Sequence, residues 1–344
     1  MAMNKILVTG GMGFIGSCFI RHVINEYPDC KIVNYDSLTY AGNLRNLDGV
    51  SNYSNYNFVR GDICDKEAVS NLISSNDFDK IINFAAESHV DKSISGPSKF
   101  VQTNIVGTSI LLEESLKYYR NLDSSLKNDF RFIHISTDEV FGDLSDTGKF
   151  TEKTPYNPSS PYSASKASSD HLVRAWHRTY GLPVSITNCS NNYGPFQNPE
   201  KLIPLMINNA LSGKVLPVYG NGSNIRDWLY VYDHCDAILT VIENGVNGET
   251  YNIGGEFEIS NIKIVKKICR LLDKIQPKKD NLPYESLIKF VSDRPGHDYR
   301  YAMDITKIRN ELGWSPKESF ETGIMKTVRW YLDNQEWVKL TLLK

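Results

Sequence analysis

The sequence predicts an α/β protein in which a doubly wound parallel sheet precedes a smaller C-terminal lobe. Three observations predict it. Short β-branched and apolar runs alternate with helix-like stretches up to residue 188, the pattern of a parallel sheet covered on both faces. The first run leads into Gly10-Gly11-Met12-Gly13-Phe14-Ile15-Gly16, and the second ends at Asp36; together these mark a Rossmann-type sheet. After Asn188, turn-rich segments such as Asn191-Asn192-Tyr193-Gly194-Pro195 and Tyr219-Gly220-Asn221-Gly222 replace the alternation. The expected division is 1–188 for the dinucleotide domain and 189–344 for the lobe, with a segment near 225–245 as the candidate to return to the first domain.

Taken in order, Lys5–Thr9 is a buried strand, and Ile20, Val23 and Ile24 place a helix between the glycines and Tyr27. Lys31–Tyr35, Asn57–Arg60, Lys80–Phe84, Phe130–Ile135 and Pro183–Thr187 continue the strands. Lys66–Ser74, a long segment ending near Tyr119, and Pro161–Tyr180 supply helices. Asn43–Asn57, rich in Asn, Ser and Tyr, reads as a long loop. In the lobe, Val231–Glu243 and Asn261–Leu272 read as helices.

Composition narrows the function classes. The 344 residues carry a formal charge of -2, which provides no whole-chain field for nucleic acid or anionic membrane. Six cysteines occur without a C-x-x-C pair, which points to reduced thiols in the cytoplasm rather than a disulfide scaffold or zinc site. The seven histidines are dispersed, so no metal is expected. No apolar run reaches the length of a membrane span, and the first strand starts too early for a signal peptide to precede it.

Three glycines at this spacing are weak evidence alone. Here Gly10, Gly13 and Gly16 follow a strand and open a helix. That places backbone N–H groups and a helix N-terminus where a pyrophosphate can sit. Asp36 ends the second strand, where a carboxylate accepts from ribose hydroxyls and repels a 2′-phosphate. The expected cofactor is therefore NAD rather than NADP; a tight turn without a ligand is the alternative. Asp62-Ile63 would meet the adenine, unless Asp62 or Asp65 merely caps the next helix. Small residues in Phe84-Ala85-Ala86-Glu87-Ser88 would let backbone approach the cofactor.

The chemistry concentrates between Thr137 and Lys166. Tyr162 and Lys166, four apart on a helix, share a face. An ammonium beside a phenol favours phenolate and makes Tyr162 a usable base, with Thr137 bonding the same substrate hydroxyl. Asp138 and Glu139 can split roles: a protonated Asp gives a proton to a leaving hydroxyl, and an ionised Glu removes an acidic C–H proton. That C–H is acidic only beside a carbonyl, which alcohol oxidation creates. Oxidation, loss of water and hydride return follow as one sequence. A solvated acidic turn is the bland alternative.

These residues carry a resemblance. The chain is similar nearly end to end to the extended short-chain dehydrogenase/reductase family, and within it to the 4,6-dehydratases of dTDP-glucose. The motifs are the glycine loop, Leu38-Thr39-Tyr40-Ala41-Gly42-Asn43-Leu44, Ala85-Ala86-Glu87-Ser88-His89-Val90-Asp91 and Thr103-Asn104-Ile105-Val106-Gly107-Thr108. To these are added Ser136-Thr137-Asp138-Glu139-Val140, Pro161-Tyr162-Ser163-Ala164-Ser165-Lys166-Ala167, Asn188 to Pro195, and Asp293-Arg294-Pro295-Gly296-His297-Asp298. The glycine and Y-x-x-x-K motifs specify only the superfamily; Thr-Asp-Glu, L-T-Y-A-G-N and D-R-P-G-H are more specific.

The resemblance implies an NAD-dependent lyase acting on a nucleotide sugar. Tyr162 would take the 4-hydroxyl proton as the C4 hydride leaves. Glu139 would remove the C5 proton and Asp138 protonate the departing 6-hydroxyl, and the hydride would return to C6 to leave a 4-keto-6-deoxy sugar. The resemblance extends the cofactor set to Phe14, Ile15, Ser37, Leu38, Thr39, Ser88, Thr103 and Asn192. It assigns Ser88, Thr137 and Asn191 to the sugar, and Lys201, Leu202, Pro217, Val218, Tyr219, Arg226, Asn261, Arg294, His297 and Tyr301 to the nucleotide diphosphate. It also implies a homodimer joined through Pro97–Tyr119 and Pro161–Tyr180. Met12 departs from the small residue usual in the glycine loop, and its side chain is expected in packing. Other readings stay open: a CDP- or UDP-sugar dehydratase, a UDP-sugar epimerase or decarboxylase, or a non-catalytic NAD-binding sensor.

Overall fold

A computed structural model describes residues 3–343. Seven strands form one parallel sheet: β1 (Lys5–Thr9), β2 (Lys31–Asp36), β3 (Tyr56–Arg60), β4 (Lys80–Asn83), β5 (Arg131–Thr137), β6 (Val184–Cys189) and β7 (Thr250–Ile253). Their order is β7-β6-β5-β4-β1-β2-β3. The order therefore reverses between β1 and β4, which pair in register from Ile6↔Lys80 to Thr9↔Asn83. Ligands of such sheets bind outside the carboxyl ends of the strands at that reversal.

The strands are short apolar runs because both faces are covered. One face packs on Phe14–Glu26 and Val231–Asn244, with Phe19, Val23, Cys235 and Ile238 wholly buried against Ile6, Val8 and Ile133. Met12 is buried in the same core. The other face packs on Thr108–Asn121 and Pro161–Tyr180 through Leu111, Leu112, Val173 and Phe132.

The division at residue 188 meets a difference. Strand β7, which the sequence reading left inside the lobe, adds to the sheet beside β6, with Thr250↔Ile186 and Ile253↔Cys189. Four residues between turns carry too little periodicity to be recognised, and only their burial against β6 decides their place. Phe130, expected in β5, precedes the strand, which in turn runs on through Thr137.

The lobe is built from a three-stranded sheet centred on Ile225–Tyr230, a parallel pair Leu216–Tyr219 with Ile288–Val291, and helices around one core. Asn261–Ile275 buries Ile264, Val265, Ile268, Cys269 and Leu272, one helical stripe, against Phe320–Asp333 and Leu202–Leu211. The C-terminal helix Gln335–Leu342 reaches back to the first domain: Trp337 Nε1 donates to Asn46 Oδ1 at 3.1 Å. The segment read as a long loop is therefore anchored, with a short 3₁₀ turn at Leu44–Leu47. Among the described residues, no helix is long and apolar enough to cross a membrane, and all six cysteines are free thiols.

Candidate active site

One cleft runs along the carboxyl edge of the sheet. Gly10, Gly13, Phe14, Ile15 and Gly16 line it, with Asp36, Ser37 and Thr39 after β2, and Asp62 and Ile63 after β3. Phe84, Ala85, Ala86 and Ser88 follow from β4, and Thr103 from the helices beyond it. Thr137, Asp138, Glu139, Tyr162 and Lys166 lie in the same wall, with Asn191, Asn192 and Lys201. Residues from every crossover of the first domain are thus collected in one groove.

Its cofactor end is shaped by backbone. Gly10 has φ +70°, and a Cβ there would lie 2.6 Å from Ala85 N. A Cβ on Gly16 would lie 2.5 Å from Gly10 O. Only glycines let these segments approach so closely. The helix Phe14–Glu26 has no side-chain cap at Gly13 and no acid in its first turn, so its leading N–H groups and dipole are free to serve an anion. Asp36 Oδ2 accepts from Met12 N at 2.9 Å and Oδ1 from Leu38 N at 2.7 Å. The carboxylate thereby ties the glycine loop to the turn after β2 while remaining in the cleft wall. Leu38 is absent from that wall: it sits at φ +54° with its N–H turned to Asp36. Asp65, not Asp62, caps the helix Lys66–Ser74 through Ala68 N. Together, the glycine cradle, the uncapped helix and the acid after β2 fit NAD.

The catalytic end is built by two elements. β5 runs to Thr137, whose Oγ1 accepts from Glu139 N at 3.3 Å and caps the 3₁₀ turn Asp138–Phe141. The helix Pro161–Tyr180 starts at a reciprocal cap: Ser160 Oγ accepts from Ser163 N at 3.1 Å, and Ser163 Oγ from Ser160 N at 3.0 Å. Its buried stripe contains Tyr162, Ser165, Lys166, Ser169, Asp170 and Val173. Asn104 holds this helix to the turn after β4, donating to Ser165 Oγ at 2.8 Å and Glu87 O at 3.0 Å while accepting from Glu87 N. Asn104 lies in a π-helical turn, Val101–Gly107, that also presents Thr103 to the cleft.

The two acids have different surroundings. Asp138 is 2% exposed, and its Oδ2 has no hydrogen-bond partner. Burial, then the neighbouring Glu139, pushes its carboxyl well above the usual range. Burial raises Glu139 as well, but Arg294, Arg226 and Lys201 oppose it. The environment thus holds Asp138 towards its acid form more strongly than Glu139.

Tyr162 and Lys166 share one buried face, as their spacing predicts. The phenol is pushed well above its ordinary value, by burial first and then Glu139, with the Thr137 hydroxyl opposing. Lys166 makes no hydrogen bond to it. Its Nζ donates to Ile135 O at 2.8 Å, one residue beyond the point where β4 stops pairing with β5. Helical spacing brings both groups to one face, but the long lysine chain runs down to the strand. The Tyr162 ring is held instead by Phe100, edge-on with centroids 6.3 Å apart.

Of the nucleotide-binding candidates, Lys201 lies in the cleft wall and the others do not. Leu202, Pro217, Val218, Tyr219, Arg226, Asn261, Arg294, His297 and Tyr301 do not line it, although Arg226 and Arg294 act on Glu139 electrostatically. Val218 alternates inward and is 2% exposed, so its side chain belongs to the lobe core. Arg226, expected as a free fork for phosphate, spends Nη1 on Ile225 O and Tyr299 O and Nη2 on Asp298 O. Arg294 keeps a buried Nε without a partner, as do the carboxamide oxygens of Asn191 and Asn261. Lys99, Glu87, Gln197 and Glu200 also line the cleft. Glu87 lies within the Ala85–Asp91 motif, whereas an exposed helical lysine such as Lys99 carries no sequence signal.

A family model described as GDP-mannose 4,6 dehydratase matches residues 7–327. A dTDP-glucose 4,6-dehydratase of Escherichia coli is 60% identical over 97% of this chain and 95% of its own. The dTDP-glucose 4,6-dehydratase of Bacillus anthracis str. Ames, solved in complex with NAD, matches with a TM-score of 0.87 at 48% identity, covering 99% of this chain and 100% of that one. DesIV, a dTDP-glucose 4,6-dehydratase of Streptomyces venezuelae solved with NAD bound, matches with a TM-score of 0.89 at 45% identity over 98% and 99% of the two chains.

Proposed function

The chain belongs to the GDP-mannose 4,6 dehydratase family, and on that premise we propose that it converts dTDP-glucose to dTDP-4-keto-6-deoxyglucose as an NAD-dependent hydro-lyase. The observation that carries the choice of reaction is the adjacent pair Asp138 and Glu139 at the head of the cleft, one held towards its acid form and the other surrounded by cations. An epimerase has no use for such a pair.

When bound, NAD supplies the redox chemistry, accepting a hydride from C4 and giving it back at C6. The side chains handle the protons. Tyr162 takes the proton from O4, with Thr137 Oγ1 and the Lys166 ammonium favouring its phenolate form. Glu139 takes the C5 proton once C4 is a ketone, and Asp138 gives its proton to the departing O6 as water. Ser88 and Asn191 hold the sugar, and the unpartnered Arg294 Nε supports a phosphate contact from the lobe. Lys201, fixed by Nζ donating to Ser88 O at 3.0 Å, places a second cation near Glu139.

The working form is a homodimer through Pro97–Tyr119 and Pro161–Tyr180. Exposure of Val101, Val106 and Tyr180 on these helices supports it. The free thiols support a reducing, cytoplasmic setting. The reaction is tested with dTDP-glucose carrying deuterium at C4. The expected product is a 4-keto-6-deoxy sugar with deuterium at C6 and solvent hydrogen at C5, read by mass spectrometry and NMR. An epimerised hexose that retains its C6 oxygen would sink the proposal.

A further inference from the structure

Beneath Lys166 lies a sealed polar cluster that the mechanism above does not use. His134, Ser169 and Asp170 are each 0% exposed. Thr9 Oγ1 donates to Asn83 Oδ1 at 2.7 Å, which turns the Asn83 amide nitrogen toward His134 Nδ1 at 3.2 Å. An amide nitrogen only donates, so Nδ1 accepts and the neutral ring carries its proton on Nε2. That N–H faces Ser169 Oγ at 3.1 Å and Asp170 Oδ1 at 3.4 Å. Ser169 Oγ gives its own proton to Lys166 O at 2.8 Å, leaving a lone pair for His134.

Lys166 Nζ lies 3.4 Å from the same Nε2, but a protonated Nε2 has no lone pair to accept from an ammonium. The charge of Lys166 is therefore met by the Ile135 carbonyl and, across the imidazole, by the Asp170 carboxylate. Asp170 is held ionised: its Oδ2 accepts from Ser136 Oγ and Tyr156 OH at 2.8 Å and from Asn188 Nδ2 at 3.3 Å.

We propose that Asp170 is a positioning residue for the redox step: across the His134 ring it supplies the buried counter-charge that holds the Lys166 ammonium behind Tyr162. The proposal rests on the dehydratase reading. The titratable groups facing Lys166 are His134 from β5, Cys189 from β6 and Asp170 from its own helix, with Tyr156 and Arg174 set against Asp170 in turn. Burial pulls the Lys166 ammonium down, with Asp170 first and Cys189 second opposing. The Cys189 thiol is itself pushed up by burial and stays neutral, and His134 is pulled down to about 4 by burial and Lys166. Asp170 remains as the anion.

The test is the pH profile of C4 oxidation in Asp170→Asn and Asp170→Glu holoenzymes, read as transient NADH with dTDP-glucose. Without its counter-charge, Lys166 gives up its proton at lower pH. The alkaline limb of Asp170→Asn is therefore expected to move down by about one pH unit and the rate to fall roughly tenfold, whereas Asp170→Glu keeps the limb in place. A limb that stays put in Asp170→Asn, with rate lost equally at every pH, would assign the cluster a merely structural role and overturn the proposal.

If Asp170→Asn does not fold, ¹⁵N-histidine spectra of the unsubstituted holoenzyme decide. A neutral Nε2–H ring from about pH 6 to 9 is expected. A ring protonated on Nδ1 would make His134 the acceptor of Lys166 and remove the need for Asp170. An unsubstituted enzyme that does not oxidise dTDP-glucose at all would fail the dehydratase reading instead, and the tautomer measurement does not depend on that outcome.

Discussion

Arg294 of the lobe is paired with Asp91, which follows β4: Nη1 lies 3.0 Å from Oδ1, across 203 residues of sequence. Tyr219 OH donates to the other Asp91 oxygen at 3.1 Å. One carboxylate of the first domain thus gathers an arginine and a phenol of the second, and Arg294 still has a buried, unpartnered Nε. Arg294→Lys keeps the charge and loses the fork. The KM for dTDP-glucose is expected to rise about tenfold, corresponding to ~1.5 kcal/mol for a charge-assisted hydrogen bond, with kcat little changed. Steady-state kinetics check this; an unchanged KM would remove Arg294 from substrate binding.

Glu139→Gln removes the base for C5 and leaves Tyr162, Thr137 and Lys166 in place. Oxidation at C4 is expected to proceed, and NADH absorbance to persist, while release of the 4-keto-6-deoxy product falls by at least about 100-fold. Stopped-flow absorbance separates the two steps. Equal loss of both would contradict the assignment of Glu139 to elimination.

The raised pKa of Asp138 makes a statement about stability. A carboxyl whose folded value lies above its unfolded value contributes stability that is complete below the unfolded value and is lost as pH rises through the folded one. Asp138→Asn mimics the protonated form at every pH. It is therefore expected to raise Tm relative to the parent protein at pH 8 and to have a much smaller effect at pH 4, while abolishing product formation. A Tm difference independent of pH, measured calorimetrically, would show that Asp138 is not held protonated by the fold.

At Gly10, backbone and neighbour agree. The +70° φ disfavours any side chain, and a Cβ would press on the Ala85 backbone. Gly10→Ala should lower stability by roughly 2 kcal/mol or more through strain and overpacking, and weaken NAD retention beyond that. Thermal melts with and without added NAD distinguish the two losses: a variant that melts lower yet gains the parent's full shift with NAD would leave the cradle intact.

Much of the first domain was legible because each element carries its own signal. Lys5–Thr9, the glycines and Asp36 declare a strand, a turn and a helix start within a short span, and the structure joins them in one wall. The shared face of Tyr162 and Lys166 was legible, but the destination of the ammonium was not, because spacing on a helix fixes a face, whereas the end of a four-carbon side chain goes to the strongest acceptor it can reach, here Ile135 O. The bonds of Arg226 to backbone carbonyls were not legible for a related reason: from sequence, a guanidinium bound by carbonyls is indistinguishable from one open to a phosphate.

The order of residues alone determined the parallel sheet, the cofactor loop, the acid after β2 and the presence of two adjacent carboxyls after β5, since all of these are local patterns of side-chain size, polarity and turn preference. Only the tertiary structure decided that β7 adds to the edge of the sheet, that Asp138 is buried while Glu139 lies in the field of Arg294, Arg226 and Lys201, and that Asp170 stands behind Lys166 across an imidazole. Burial and the distance between charges set those properties, and both depend on segments far apart in the chain being brought together.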